Sequence, residues 1–245
     1  MENVEKLGII PSRFASTRFP GKPLALIGGV PMIERVYRQA LKSNLDRVLV
    51  ATDDDRILNC VRNFGGEAVM TDPHLPSGTD RCREALNLSG INAKLVVNIQ
   101  GDEPFIDPGQ INLVLKLLMG NAVKIATLIS PATSLEEIEN PNRVKVAIDR
   151  DGKALYSSRL PIPFSKTGEQ KVENYHIHLG IYGFRGSTLQ EISELKASKL
   201  ELSESLEQLR WLENGYSIYT AKTMERADSV DTPKDLEIIE KKFFL

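Results

Sequence analysis

The apolar and polar positions of the chain change rhythm near its middle. Leu7-Gly8-Ile9-Ile10-Pro11 is a short apolar run without polar interruption, the pattern of a strand covered on both faces. A helix follows with Pro31 near its first turn and an inward face of Ile33, Val36, Tyr37, Ala40 and Leu41. Arg47–Thr52 then reads as a strand, 56–64 as a helix stopped by Gly65-Gly66, and 67–70 as a third strand. Ser77-Gly78-Thr79-Asp80-Arg81 opens a helix running to about Leu88, and Val96-Val97-Asn98-Ile99 is a short β-branched run that reads as the central strand. Asp107 and Pro108 supply an N-cap and an N1 proline to a helix with Ile111, Val114, Leu115 and Leu118 inward, and 125–129 returns to the sheet. Strand and helix alternating through short connections predict an α/β fold with a doubly wound, mostly parallel sheet flanked by helices.

From Arg143 the chain becomes strand-rich. Residues 144–148 and 154–156 flank Asp149-Arg150-Asp151-Gly152, a hairpin-like turn, while the prolines of 157–164 bar a regular central strand. Residues 176–184 alternate at period two, which would set His178, Gly180 and Tyr182 on one side and Ile177, Leu179 and Ile181 on the other. A helical segment around 206–212 and a strand over 216–221 follow. Thr232, Pro233 and Asp235 then fit the N-cap, N1 and N3 positions of a capping box, leaving Asp231 outside it with no capping duty. With no repeat or linker, 1–245 reads as one domain carrying an inserted lobe over 143–215, able to form a lid or a dimer surface.

Composition narrows the function. A chain of 245 residues with 41% apolar content can bury a full core. A net charge of -2 and a pI near 6.0 give no general attraction to nucleic acid or to an anionic membrane, so any phosphate must be met locally. No apolar run is long enough to span a bilayer and the opening residues carry no leader-like apolar region, so a cytoplasmic protein is expected. Cys60 and Cys82 sit in amphipathic segments as small hydrophobes, and no Cys/His set has zinc spacing.

Two stretches carry candidate chemistry. Ser12-Arg13-Phe14-Ala15-Ser16-Thr17-Arg18-Phe19-Pro20-Gly21-Lys22 follows the first strand with three cations, hydroxyls and a Pro-Gly turn but no aliphatic period, a composition suited to anions. Neither a Walker A pattern nor G-x-G-x-x-G is present. The central strand ends in Gln100-Gly101-Asp102-Glu103-Pro104, delivering Asp102 to the carboxyl edge of the sheet, where such folds bind ligands; Asp102 is read as a metal carboxylate, against the alternative of a solvated turn. Asp53-Asp54-Asp55 matches a glycosyltransferase D-x-D only formally and is read as a helix cap, outside the metal site.

Taken together, 10–23, Ser77-Gly78-Thr79-Asp80-Arg81, Asn98-Ile99-Gln100-Gly101-Asp102-Glu103-Pro104, His178-Leu179-Gly180-Ile181-Tyr182-Gly183, Leu206-Glu207-Gln208-Leu209-Arg210 and Val230-Asp231-Thr232-Pro233 resemble the 3-deoxy-manno-octulosonate (Kdo) cytidylyltransferases. The motifs occur in the family's order over nearly the whole chain; Ser12 replaces a common Ala and Phe19 a common Leu, with no charge or donor lost. The resemblance implies a Rossmann-like nucleotidyltransferase of the nucleotide-diphospho-sugar transferase type, a homodimer that joins CTP and Kdo with Mg²⁺ for lipopolysaccharide assembly, the lobe serving dimerisation and sugar binding. It implies Arg13 and Lys22 on the triphosphate with Ser12 and Arg18 nearby, and Ser77, Gly78, Thr79 and Arg81 around the cytosine and ribose. Asp102 and Asp231 would hold Mg²⁺. Gln100, Arg159, His178, Tyr182, Glu207 and Gln208 would surround the sugar acid, with Gln100 also reaching CTP. The nearest rivals are a cytidylyltransferase for a sialic acid or 8-amino-Kdo, and a catalytically silent nucleotide-binding regulator.

Overall fold

The computed structural model describes residues 2–16, 18–169 and 171–244, so Thr17 of the cationic loop lies outside the described residues. The chain forms two compact units, Met1–Asn112 with Ala227–Leu245, and Leu113–Arg226.

Unit 1 is a parallel sheet with helices in the crossovers. β1 (Glu2–Ser12), α1 (Met32–Ala40), β2 (Arg47–Thr52), α2 (Asp55–Asn63), β3 (Ala68–Met70), α3 (Gly78–Leu88) and β4 (Ile91–Asn98) follow one another, and the strands lie in the order β4-β1-β2-β3, every pair parallel. Leu7, Ile9, Ile10, Val50, Val96 and Val97 are fully buried, as strands covered on both faces require. β1 is longer than its apolar run because its polar first half is held by backbone pairing of Glu2 through Lys6 with Ile91 through Leu95. Asp54 caps α2 by accepting from the Arg56 N–H at 2.9 Å, as the cap reading of the acidic triplet requires, and Ser77 caps α3 through the Asp80 N–H at 3.1 Å. The C-terminal helix, Pro233–Phe244, returns to this unit. Its start is a reciprocal cap, with the Asp235 N–H on Thr232 Oγ1 at 3.3 Å and the Thr232 N–H on Asp235 Oδ2 at 2.8 Å.

Unit 2 begins within α4 (Pro108–Leu118) and contains β5 (Ile125–Pro131), β6 (Lys145–Ile148), β7 (Ala154–Ser158), β8 (His176–Arg185) and β9 (Ile218–Lys222). β5 pairs in parallel with β9 and antiparallel with β8, while β6 pairs antiparallel with both β8 and β7. The expected lobe over 143–215 is thus part of a larger unit, because the strand at 125–131 takes its paired partners β8 and β9 from the second half of the chain. The β6–β7 hairpin turns as expected, with Asp149 Oδ1 accepting from the Asp151 and Lys153 N–H groups at 2.9 and 2.8 Å.

The strict alternation expected along 176–184 is broken. The β8–β5 register advances evenly to Leu179↔Leu128 and resumes at Tyr182↔Thr127, so Gly180 and Ile181 bulge out of the ladder. Thr127, buried, holds the bulge: its Oγ1 lies 2.7 Å from the Ile181 carbonyl, 3.3 Å from the Leu179 carbonyl and 3.0 Å from His178 Nε2.

Candidate active site

Within unit 1 the carboxyl ends of β1 and β4 face one cleft. The loop after β1 is shaped by Phe14, whose carbonyl accepts from the N–H groups of Ser16 and Gly21, both at 2.9 Å, while Gly21 takes φ +72° with the Phe14 ring packed where a Cβ would point. Asp53 Oδ1 accepts the Phe14 N–H at 3.0 Å, and the Arg56 guanidinium lies 3.4 Å above the Phe14 ring. Asp53, passed over in the sequence as part of a cap, is therefore an anchor of the anion loop. The readable signal was a surplus: a cap uses one acid, and three stood there.

The cleft encloses about 380 Å³ and is lined by Ser12, Arg13, Arg18, Lys22, Asp102 and Asp231, with Gln100 and Gly101 between the two groups. At Gly101 a Cβ would stand 2.8 Å from both the Pro11 carbonyl and Ser12 Oγ, so only glycine lets the acidic turn lie this close to the end of β1. Ser12 Oγ and Asn98 Oδ1 are buried without a protein hydrogen-bond partner.

Lys22, 13% exposed, joins the two acids. Its Nζ lies 2.8 Å from Asp102 Oδ2 and 3.6 Å from Asp231 Oδ1, while the more exposed Arg18 reaches Asp231 Oδ1 at 2.8 Å. The Val230 N–H donates to the Asp102 carbonyl at 2.9 Å, fixing the two acidic segments main chain to main chain. One ammonium thus stands within reach of both carboxylates. A hard, all-oxygen pair that already gathers around a cation suits Mg²⁺, which takes one or two protein carboxylates and fills its remaining positions with phosphate and water oxygens. No group of three or more His, Cys, Asp or Glu able to hold a metal occurs among the described residues.

Ser77, Gly78, Thr79 and Arg81 stand at the start of α3, where Gly78 faces Pro11 and Asn98. Thr79 and Arg81 are turned inward, 3% and 1% exposed. The Arg81 guanidinium donates to Thr71 Oγ1 at 2.5 Å and pairs with Asp53 at 3.5 Å; burial lowers its pKa and the Asp53 charge opposes that. Arg81 thereby shares Asp53 with the anion loop.

The residues expected around the sugar acid, apart from Gln100, belong to unit 2. Arg159 is clamped by carbonyls, with Nε on Glu204 at 2.7 Å and its two terminal nitrogens on Pro141 and Ser205 at 3.0 and 3.2 Å. Beside it, buried Lys145 donates to the carbonyls of Asn140, Arg143 and Arg159, and burial lowers its pKa. His178 and Tyr182 stand 5.1 Å apart between ring centroids, and Tyr182 meets Trp211 edge-on at 5.1 Å. Burial pushes the Tyr182 phenol well up, and the nearby Glu207 carboxylate adds to this. Gln208 is buried. Burial lowers the His178 pKa to about 4, so its ring is neutral at physiological pH. The Thr127 hydroxyl has one proton, and the 2.7 Å contact to Ile181 takes it; His178 must then donate from Nε2 to Thr127, leaving Nδ1 as an acceptor.

A parallel α/β unit that sets a cationic loop against two aspartates at the carboxyl edge of its sheet defines a nucleotidyltransferase. A family model described as Cytidylyltransferase matches residues 7–223. 3-Deoxy-manno-octulosonate cytidylyltransferase of Phocaeicola vulgatus is 49% identical over 237 residues, 94% of each chain, and the enzyme of that name from Syntrophobacter fumaroxidans is 47% identical over 236 residues, 95% of this chain and 94% of its own. The solved structure of a CMP:2-keto-3-deoxy-manno-octonic acid synthetase complexed with CTP superposes with a TM-score of 0.91 at 40% identity, covering 97% of this chain and 98% of that one. The chain belongs to the 3-deoxy-manno-octulosonate cytidylyltransferase family.

Proposed function

We propose that the protein transfers CMP from CTP to the anomeric 2-hydroxyl of Kdo, releasing pyrophosphate, as a step of lipopolysaccharide synthesis. The observation that carries this is the pairing of Lys22 with both Asp102 and Asp231 beneath the cationic loop, supported by the family to which the chain belongs. CTP brings about four negative charges and Kdo a carboxylate, so an enzyme of net charge -2 needs local cations to bring them together. Arg13, Arg18 and Lys22 line the same cleft and supply them.

The Kdo 2-hydroxyl oxygen attacks the α-phosphorus in line, the bond from that phosphorus to the α,β-bridging oxygen breaks, pyrophosphate leaves with the electron pair, and the hydroxyl proton passes to solvent. Asp102 and Asp231 would hold Mg²⁺, which when bound would neutralise charge on the phosphoryl group and lower the pKa of the attacking hydroxyl. Lys22 and Arg18 exchange their carboxylate partners for phosphate oxygens, and with Arg13 they stabilise the departing pyrophosphate. Ser12 Oγ offers an unpartnered hydroxyl on the same wall. In unit 2, Arg159 presents a preorganised cation to the sugar carboxylate, while His178, uncharged at neutral pH with its one ring proton on Nε2, accepts from a sugar hydroxyl at Nδ1. Tyr182, Glu207 and Gln208 complete the polar contacts that unit 2 offers the sugar.

The reading includes a cytoplasmic homodimer. No helix among the described residues is long and apolar enough to cross a membrane. Leu155, Leu160, Phe164 and Leu202 of unit 2 are exposed, 62–88%, which supports a self-association surface there. Pyrophosphate release from CTP and Mg²⁺ is measured with Kdo, 8-amino-Kdo and a sialic acid in parallel. Turnover with Kdo is expected; turnover with another acid alone would reassign the sugar pocket, and none with any acid would leave a silent nucleotide-binding regulator.

A further inference from the structure

Each charged segment of the unit 1 site carries an apolar neighbour in a single cluster. Phe19 follows Arg18, Phe105 lies three residues after Asp102, and Val230 precedes Asp231; all three pack with Ile27, Met32, Leu236 and Ile239. Val230, Ile27 and Met32 are fully buried. The far side of this cluster is closed by the last turn of the C-terminal helix. Phe243 stacks on Phe105 with ring centroids 4.0 Å apart and planes 17° from parallel, and Phe244 lies 6.3 Å from the same ring. Arg35 stands over both Phe105 and Phe244, at 5.5 and 4.6 Å, and its Nε is fixed on the Ile27 carbonyl at 2.8 Å. Gly28 takes φ +53° with the Phe244 ring where a Cβ would be, and its N–H donates to Glu240 at 3.2 Å.

The helix that begins two residues after Asp231 is therefore gripped at its far end by the turn that carries Asp102. Phe243 and Phe244 are 43% and 45% exposed, so their rings add little to the core, yet they meet partners that stand directly behind the site. We propose that the Phe105–Phe243–Phe244 clasp, with Arg35 and Glu240, is a positioning device that sets the separation of the Asp102 and Asp231 carboxylates. This rests on the reading that those two residues hold the metal. An ion that demands near-ideal octahedral geometry penalises small shifts of a carboxylate, so a loosened clasp shows first in metal affinity.

The test titrates Mn²⁺ into the full chain saturated with CTP, without sugar acid, and follows free Mn²⁺ by electron paramagnetic resonance. Calorimetry in EDTA measures CTP affinity alone. Phe243→Ala should weaken Mn²⁺ binding about tenfold, the scale of losing an outer support of a metal ligand, with CTP affinity in EDTA within about twofold of the parent. Phe243→Leu should restore most of the loss. A folded Phe243→Ala protein with unchanged Mn²⁺ affinity would overturn the proposal, as would an equal fall in Mn²⁺ and CTP affinity. If Phe243→Ala does not fold, Glu240→Ala removes the Gly28 contact, leaves the rings in place and carries the same expectation. A parent chain that binds no Mn²⁺ overturns the metal assignment itself, whereas the preceding outcomes overturn the clasp alone.

Discussion

Replacing Lys22 by alanine isolates the central electrostatic feature of the cleft. At 2.8 and 3.6 Å from Asp102 and Asp231, the ammonium gains about 6 and 5 kcal/mol of gross attraction at an effective dielectric of about 20. Most of this offsets the desolvation of a side chain only 13% exposed, and the carboxylates, at 28% and 40%, stay partly screened. Removing one member of a buried pair costs about 3–5 kcal/mol, so this partly open pair should cost about 2–3 kcal/mol, with two neighbouring carboxylates left to repel each other. Arg18→Ala breaks a pair that is 67% and 40% exposed and should cost no more than about 0.5 kcal/mol. Urea unfolding in EDTA measures both. With about 10 mM Mg²⁺ added, Lys22→Ala should regain most of its deficit, because the cation now bridges the freed carboxylates and binds only the folded state. Pyrophosphate release should fall about a thousandfold in Lys22→Ala and about tenfold in Arg18→Ala. Equal losses from the two variants, or a Lys22→Ala chain that Mg²⁺ stabilises no more than the parent, would refute the assignment of the two aspartates to one cation site.

Other expectations follow from the same geometry. Asp102→Asn keeps the shape of the turn and removes one of the two carboxylates proposed to hold the metal, so turnover should fall a hundredfold or more, measured at saturating CTP and Kdo. Thr127→Val leaves the Ile181 and Leu179 carbonyls and His178 without their hydroxyl, and should lower stability by about 2–3 kcal/mol in a urea titration. His178 sits at about 4 when folded against an ordinary 6.5, so the unfolded chain binds the proton first. Stability is then unaffected above pH 6.5, falls as pH drops toward 4, and the loss from this residue between pH 7.5 and 5 is about 2 kcal/mol. A His178→Gln chain should lose correspondingly less over that interval; an identical pH slope would count against the buried neutral ring.

The sequence carried unit 1 well because its strands are apolar on both faces and its helices begin at caps whose chemistry is local: Ser77, Asp54 and Thr232 with Asp235 all cap as their spacing implies. Asp231 was legible for the same reason, since a capping box with a complete set of partners leaves the acid beside it unexplained. Unit 2 was less legible. Period two marks a strand but not its partners, so 125–131 could not be assigned to β8 and β9 from its own residues. The bulge at Gly180 and Ile181 depends on a hydroxyl in a strand about fifty positions away. Asp53, Lys145 and Phe105 were missed because their roles are set by groups distant in the chain: an amide at Phe14, the carbonyl of Arg159 and a ring at Phe243.

The return of Ala227–Leu245 to unit 1 after the excursion Leu113–Arg226 means that Asp231 reaches Asp102 only by closing a very long loop. For a disordered chain of that length, closure carries an entropy cost of about 4 kcal/mol. A folded excursion has far fewer conformations to lose on closure than a disordered one. Unfolding of the intervening unit would therefore oppose the pairing of the two acidic segments, with neither aspartate altered. Substitutions that destabilise unit 2 should then weaken the hold of the segment carrying Asp231 on the rest of unit 1 by up to about 4 kcal/mol, without touching either carboxylate.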